Sequence, residues 1–169
     1  LSLHDALPIL VDFATANIKS EYAELSNSVN TLVNKSGTLY GFNTDVIGIE
    51  NTLDEHTDYI KSALILGNGA TSRSACIALS NKGTDKIYIA NRNNKRYFKS
   101  PHISYINFEK ISALKSVDVI INATPEDETM SSLIKDLSDV KLLLDMNYSS
   151  AHSNLMQVIK EMGASTKIG

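Results

Sequence analysis

Gly67, Gly69 and Ser72 are spaced G-x-G-x-x-S, directly between the apolar run ALIL (63–66) and a helical pattern over 72–82. The chemistry open to such a turn is anion binding. The first glycine permits a tight turn, the second lets a pyrophosphate approach the backbone, and the third position takes a small residue where helix and strand pack closely. Free amides at the helix start and the helix dipole then favour the anion. A plain strand-to-helix turn uses the same residues, so the spacing alone leaves both readings open.

The next strand pattern bears on that choice. An NAD-binding turn usually has an Asp or Glu about 20 residues further on, which binds the ribose hydroxyls. Here KIYIA (86–90) runs into Asn91-Arg92-Asn93-Asn94-Lys95-Arg96, which holds three cations and no acid. A cluster of this kind suits a ribose carrying a 2′-phosphate, and the expected cofactor is NADP. A solvated basic loop is the plain alternative. The missing acid also speaks against a methyltransferase, which commonly places one at the same point. A third candidate is Asp45, in the first turn of a helix expected from Thr44 or Asp45 to about residue 55. A carboxylate there either complements the helix dipole or, beside a lysine, orients a substrate hydroxyl and assists proton movement.

The elements that must position these residues fall into two patterns. Residues 12–26 are expected to form one helix with Phe13, Ile18, Tyr22 and Leu25 on a face. VNTLVNKSGTLYGFN follows, two β-rich runs around Asn34-Lys35-Ser36-Gly37 that predict a hairpin. In the helix after it, Val46, Ile47, Ile49 and Leu53 are available for burial. From about Tyr59 onward strands and helices alternate. Strands are expected at 63–66, 86–90, 105–108, 117–122, 141–146 and 166–168, and helices at 72–82, closed by Gly83, and 153–162, closed by Gly163. Short, almost wholly apolar strands suit a parallel sheet covered on both faces. The predicted fold class is α/β, a Rossmann-type doubly wound parallel sheet preceded by the tail end of an α/β substrate-binding domain. The expected domains are 10–58 for the substrate-binding part and 59–169 for the NADP-binding part.

Bulk properties agree with one ordinary domain and part of another: 169 residues, 43% apolar, 21% charged, net charge −3. That charge gives no reason to expect nucleic acid or an anionic membrane as partner, and no apolar run approaches a membrane-spanning length. The single Cys76 excludes an intramolecular disulfide and fits a reducing compartment. A cytoplasmic location is expected, with a small-molecule substrate; the oligomeric state stays open. Cys76 and the methionines 146, 156 and 162 read as packing residues, and His56 and His102 lack partners spaced for a metal.

Four ordered segments resemble the shikimate dehydrogenase family. VNTLVNKSGTLYGFNTD is similar to its AVNT strand, turn and NTDG signature; LILGNGATSR to its phosphate loop; NRNNKR to its phosphate clamp; IINATP and LLLDMNY to two later strand-end motifs. The resemblance runs from about Leu10 to Gly169. It implies reduction of 3-dehydroshikimate by NADPH, and oxidation of shikimate in reverse, within the chorismate route to aromatic amino acids. It implies that Asn30 binds substrate hydroxyls and that Asp45 is the carboxylate of a catalytic Lys–Asp pair. Gly67, Gly69, Ala70 and Thr71 would line the pyrophosphate, and Asn91, Arg92, Asn93 and Arg96 would contact the adenosine ribose and its phosphate. Thr124 and Gly169 would lie near the nicotinamide and Tyr148 at the substrate cleft.

Departures from the family pattern are part of the same expectation. Val46 stands where NTDG has Gly, Asn68 where the phosphate loop has Ala, and TPEDET lacks the Gly-Met that usually follows NATP. Counting back from Asn30 places the family's lysine near Ile9. The segment LSLHDALPI (1–9) there resembles translated adapter sequence and is expected to be non-native. Lys19 is expected inside the first helix, solvated. The chain is thus expected to be incomplete at both ends and, as it stands, to have no measurable shikimate oxidation. Two other readings are a non-catalytic NADP-binding module and a quinate/shikimate dehydrogenase.

Overall fold

The computed structural model describes residues 15–92, 95–125, 128–147 and 154–169. The chain divides into two compact units, one ending at Asp45 and one spanning Val46–Gly169.

The described residues of the first unit form a three-stranded sheet and a short helix. Strand β1 (Ile18–Lys19) leads into helix α1 (Glu21–Ser26), followed by β2 (Thr31–Lys35) and β3 (Thr38–Phe42), in the order β1-β3-β2. The hairpin forms as expected, with Lys35 opposite Thr38 and a two-residue Ser36-Gly37 turn at φ 50° and 86°. Positive φ at both positions matches the right-handed twist of the flanking strands. Asn34 Oδ1 accepts the Gly37 amide at 3.0 Å and holds the turn closed.

The single helix expected over 12–26 does not form as such over its described part, 15–26; Phe13 lies outside the described residues. Ile18–Lys19 pairs parallel with Tyr40 and Gly41 of β3. The Asn17 amide donates to the Leu39 carbonyl, the Leu39 amide donates back to Asn17 Oδ1, and the Ser20 amide donates to the Gly41 carbonyl. These bonds take backbone groups that a continuous helix would have used internally. Ser20 then caps α1 by accepting the Ala23 amide. Ile18 and Leu25, expected on one face of that helix, fall in β1 and α1 and are 49% and 52% exposed. Lys19 is accordingly a strand residue, and its ammonium donates to the Ala16 carbonyl at 3.0 Å.

Helix α2 (Asp45–His56) follows the expected bounds and buries Val46, Ile49 and Leu53. Their spacing of three and four residues is one helical face. Ile47, expected to be buried too, is rotated off that face and is 49% exposed.

The second unit contains a six-stranded, all-parallel sheet built from β4 (Ser62–Leu66), β5 (Lys86–Ala90), β6 (Ile103–Ile106), β7 (Val119–Asn122), β8 (Leu142–Asp145) and β9 (Ser165–Ile168). Its order is β6-β5-β4-β7-β8-β9, with every neighbouring pair parallel. That is the doubly wound order, in which connections leave β4 in opposite directions and open a crevice between β4 and β7. Besides α2 from Val46 on, the described residues of this unit include helices α3 (Ala70–Asn81), α4 (Glu128–Ile134) and α5 (Asn154–Glu161) and a 3₁₀ turn (Phe108–Ala113). Leu64, Leu66, Ile120 and Leu143 pack with Ile111, Met130, Ile134, Leu155 and Ile159 on one face. The alternate strand residues Ala63, Ile65, Ile87, Ile89 and Ile121 are buried toward the other face, where α3 packs on β4 and β5. β6 begins two residues earlier than expected, because the alternating ISYI segment pairs with β5 and Phe108 starts the 3₁₀ turn. Cys76 lies in the buried run of α3, where burial, partly offset by Ser80, pushes its thiol up to about 12. No described helix is long and apolar enough to cross a membrane.

At the opposite end of the central strands from the glycine turn, Asp118 accepts from the Ser62 amide and the Lys141 ammonium, each at 2.8 Å. Burial alone would raise the Asp118 carboxyl, but the Lys141 ammonium and the Ser62 amide, with a smaller contribution from the Lys61 backbone, outweigh it and hold it below its ordinary 3.8. A depressed folded pKa contributes stability that is full above the unfolded value and is lost as pH falls through the folded value. Asp118→Asn should therefore be about 1 kcal/mol less stable than the parent at neutral pH. The gap should close in denaturant unfolding as the pH falls through the ordinary carboxylate range and below it; a pH-independent gap would assign the loss to packing.

Candidate dehydrogenase site

The glycine turn leaves β4 at the crevice. Gly67 has φ +105°, and its amide donates to the Ala90 carbonyl at 2.8 Å. A Cβ placed on Gly67 would stand 2.7 Å from the Ala123 carbonyl oxygen and 3.2 Å from Ser72 Oγ. Both the backbone angle and the close approach of the β7 connection thus require glycine. Gly69 is the N-cap of α3 and supplies no side-chain cap, so α3 begins with its Ala70 and Thr71 amides uncapped by any side chain. Ser72 is 1% exposed and its hydroxyl has no hydrogen-bond partner among the described residues. An uncapped helix start over an orphaned hydroxyl is a fit for a bound anion.

The cationic segment lies beside that turn. Asn91 is buried at the end of β5, where its amide extends the ladder to Ile106, and Arg92 is exposed. Asn68, at the tip of the glycine turn, donates to the Lys95 carbonyl at 2.7 Å. Arg73 of α3 lies 4.5 Å and Lys95 5.0 Å from the Tyr97 ring centroid. The Lys95 ammonium, with Arg73, holds the Tyr97 phenol below its ordinary value despite some burial. Asn93 lies outside the described residues.

On the other side of the crevice, Asn122 and Asp145 end β7 and β8. Asn122 Nδ2 donates to Asp145 Oδ1 at 3.0 Å, and Asn122 Oδ1 accepts the Thr124 amide at 3.2 Å. Asp145 Oδ1 also accepts the Asn147 amide. Thr124, expected near a nicotinamide, is thereby held at the strand end and is 8% exposed. Gly169 continues β9, donating its amide to the Asp145 carbonyl, and a Cβ there would lie 2.5 Å from Met146 Sδ. Tyr148 lies outside the described residues.

In the first unit, Asn30 and Asp45 come together across the hairpin. Asn30 Nδ2 donates to Asp45 Oδ1 at 2.7 Å, and Asn30 Oδ1 accepts the Thr44 amide at 3.0 Å. Asn43, 3% exposed, accepts the Asp45 amide and donates to Ser26 Oγ. Asp45 is therefore oriented from two sides at the start of α2, where the helix dipole favours its charge. Asn43, Asn122 and Asp145 escaped individual assignment from sequence. The available signal was a polar residue closing an otherwise apolar strand, as in VIIN and LLLD, at the strand ends where such sheets bind ligands. No three His, Cys, Asp or Glu side chains gather to hold a metal among the described residues.

Residues 51–144, more than half of the chain, match the family described as Shikimate / quinate 5-dehydrogenase. The chain belongs to that family. It is similar to the shikimate dehydrogenase (NADP(+)) of Pelagibacter ubique (strain HTCC1062), with 32% identity over 89% of this chain and 59% of that protein. Among solved structures it resembles shikimate dehydrogenase 1 from Peptoclostridium difficile, with TM-score 0.79 and 26% identity, covering 92% of this chain and 60% of that one. The Aquifex aeolicus shikimate dehydrogenase gives TM-score 0.74 and 28% identity over 92% of this chain and 60% of that one. The chain therefore spans about three fifths of the length of these family members.

Proposed function

We propose that these residues belong to an NADP-dependent enzyme that interconverts 3-dehydroshikimate and shikimate. The observation that carries this reading is the Asn30–Asp45 hydrogen bond. It brings a substrate-binding position and a candidate catalytic carboxylate together, which a module that only held a cofactor would not need. The names of the relatives favour shikimate over quinate as substrate.

NADP would be held by the backbone of Gly67, Gly69, Ala70 and Thr71 at its pyrophosphate. Asn91, Arg92, Asn93 and Arg96 would bind the adenosine ribose and phosphate, with Thr124 and Gly169 near the nicotinamide. When bound, it supplies or accepts the hydride. The chain's own residues do the rest. Asn30 donates to a substrate hydroxyl or to Asp45, fixing the carboxylate. Asp45 accepts the hydrogen bond of the reacting region's hydroxyl and, with a cationic partner, steers the proton that accompanies oxidation. Tyr148 would contact substrate.

The test is turnover in an enzyme completed to the length of its relatives. Shikimate should drive NADP⁺ reduction, with quinate the poorer substrate. No reduction with shikimate under conditions where NADP binds would leave the binding-module reading in its place.

A further inference from the structure

We propose that Asn68 and Tyr105 are positioning residues that set the selectivity for a 2′-phosphate, by holding the cationic segment after β5 against the glycine turn. The inference rests on the dinucleotide reading of that turn. It starts from a structural oddity: residues 95–100, which follow the strand, form no regular element. A cationic segment without secondary structure must be ordered by something else, or it pays conformational entropy each time it closes on a ligand.

Two side chains from different elements do the ordering. Tyr105, in β6, is half-buried, and its phenolic oxygen accepts the amides of both Tyr97 and Phe98, at 3.0 and 2.9 Å. Its ring also lies 5.9 Å from the Arg96 guanidinium. Asn68 binds the other end of the same stretch through the Lys95 carbonyl, at 2.7 Å. Residues 95–98 are thus tied to the glycine turn at one end and to the sheet at the other. Arg73 and Lys95 over the Tyr97 ring add a third attachment, to α3. The alanine that the family's phosphate loop has at the place of Asn68 could not make this bond. What reads as a tolerated departure in the loop is the donor that ties this segment to the glycine turn.

The test measures affinity of the 169-residue chain for 2′,5′-ADP and for 5′-AMP, which differ by the phosphate in question. Asn68→Ala and Tyr105→Phe should each weaken 2′,5′-ADP about three- to tenfold and leave 5′-AMP within about twofold. Asn68→Ala removes only a turn side chain, so the test survives if Tyr105→Phe fails to fold. Arg96→Ala serves as the direct-contact control. If it lowers 2′,5′-ADP affinity while the two positioning variants do not, this inference is overturned and the phosphate clamp stands. An equal loss for both probes would make the two residues merely structural and also overturn it. A parent chain with no preference for 2′,5′-ADP would instead remove the cofactor reading on which it rests.

Discussion

Asp45→Asn should lower kcat for shikimate by about 10²–10⁴-fold in an enzyme completed to the relatives' length, the range typical for losing a positioned acid–base partner. NADPH affinity should stay within about twofold, because the residues proposed to hold the cofactor lie in the second unit. The substitution keeps the shape of the side chain, and Asn30 can still donate to the amide oxygen that replaces Oδ1. What disappears is the charge. If Asp45 only complements the α2 dipole, the same change costs a few tenths to about 1 kcal/mol of stability and leaves turnover nearly intact. Measuring kcat and the NADPH Kd on variant and parent separates the two; turnover within about threefold of the parent would return Asp45 to an ordinary helix-start carboxylate.

The glycine turn offers a second large effect and a built-in contrast. Gly67→Ala forces a Cβ to 2.7 Å from the Ala123 carbonyl oxygen at a backbone φ of +105°. Backbone strain of about 1–3 kcal/mol and overpacking of about 1–3 kcal/mol make this a severe change beside a total stability of about 5–15 kcal/mol. A fall in Tm on the order of 5–20 °C is expected. At Gly69 a Cβ meets nothing within 4 Å and φ is −87°, so alanine fits. Gly69→Ala should melt within about 2 °C of the parent yet weaken NADPH about tenfold or more, since the added methyl stands where a pyrophosphate approaches the backbone. Thermal unfolding of both variants, paired with NADPH titration of Gly69→Ala, checks the division of labour. Equal melting of Gly67→Ala and the parent would contradict it.

The second unit was legible from sequence because its strands are short apolar runs that end at glycines or polar residues. ALIL before Gly67 and VIIN before Ala123 can be read without tertiary knowledge, and the doubly wound order follows once strands and helices alternate. The first unit resisted because its decisive contacts are non-local. Phe13, Ile18, Tyr22 and Leu25 keep a helical period, yet Ile18 and Lys19 extend to pair with β3, some twenty residues away in the chain. Ile47 shows the same limit on a smaller scale: apolar identity did not say which side of α2 it would face. The Asn30–Asp45 contact needs the hairpin to close, and only the family resemblance pointed to it beforehand. Tyr105 carried no local signal, since a tyrosine on an edge strand reads as packing until the amides it binds are seen.

The most direct measurement is titration of the 169-residue chain with NADPH and NADH. Two charge-assisted contacts from Arg92 and Arg96, discounted for solvent exposure, should favour NADPH by about 10- to 1000-fold. Raising the salt concentration should narrow the gap, because the contacts are solvent-accessible. Equal affinities for the two cofactors would contradict the assignment of this chain's second unit to NADP.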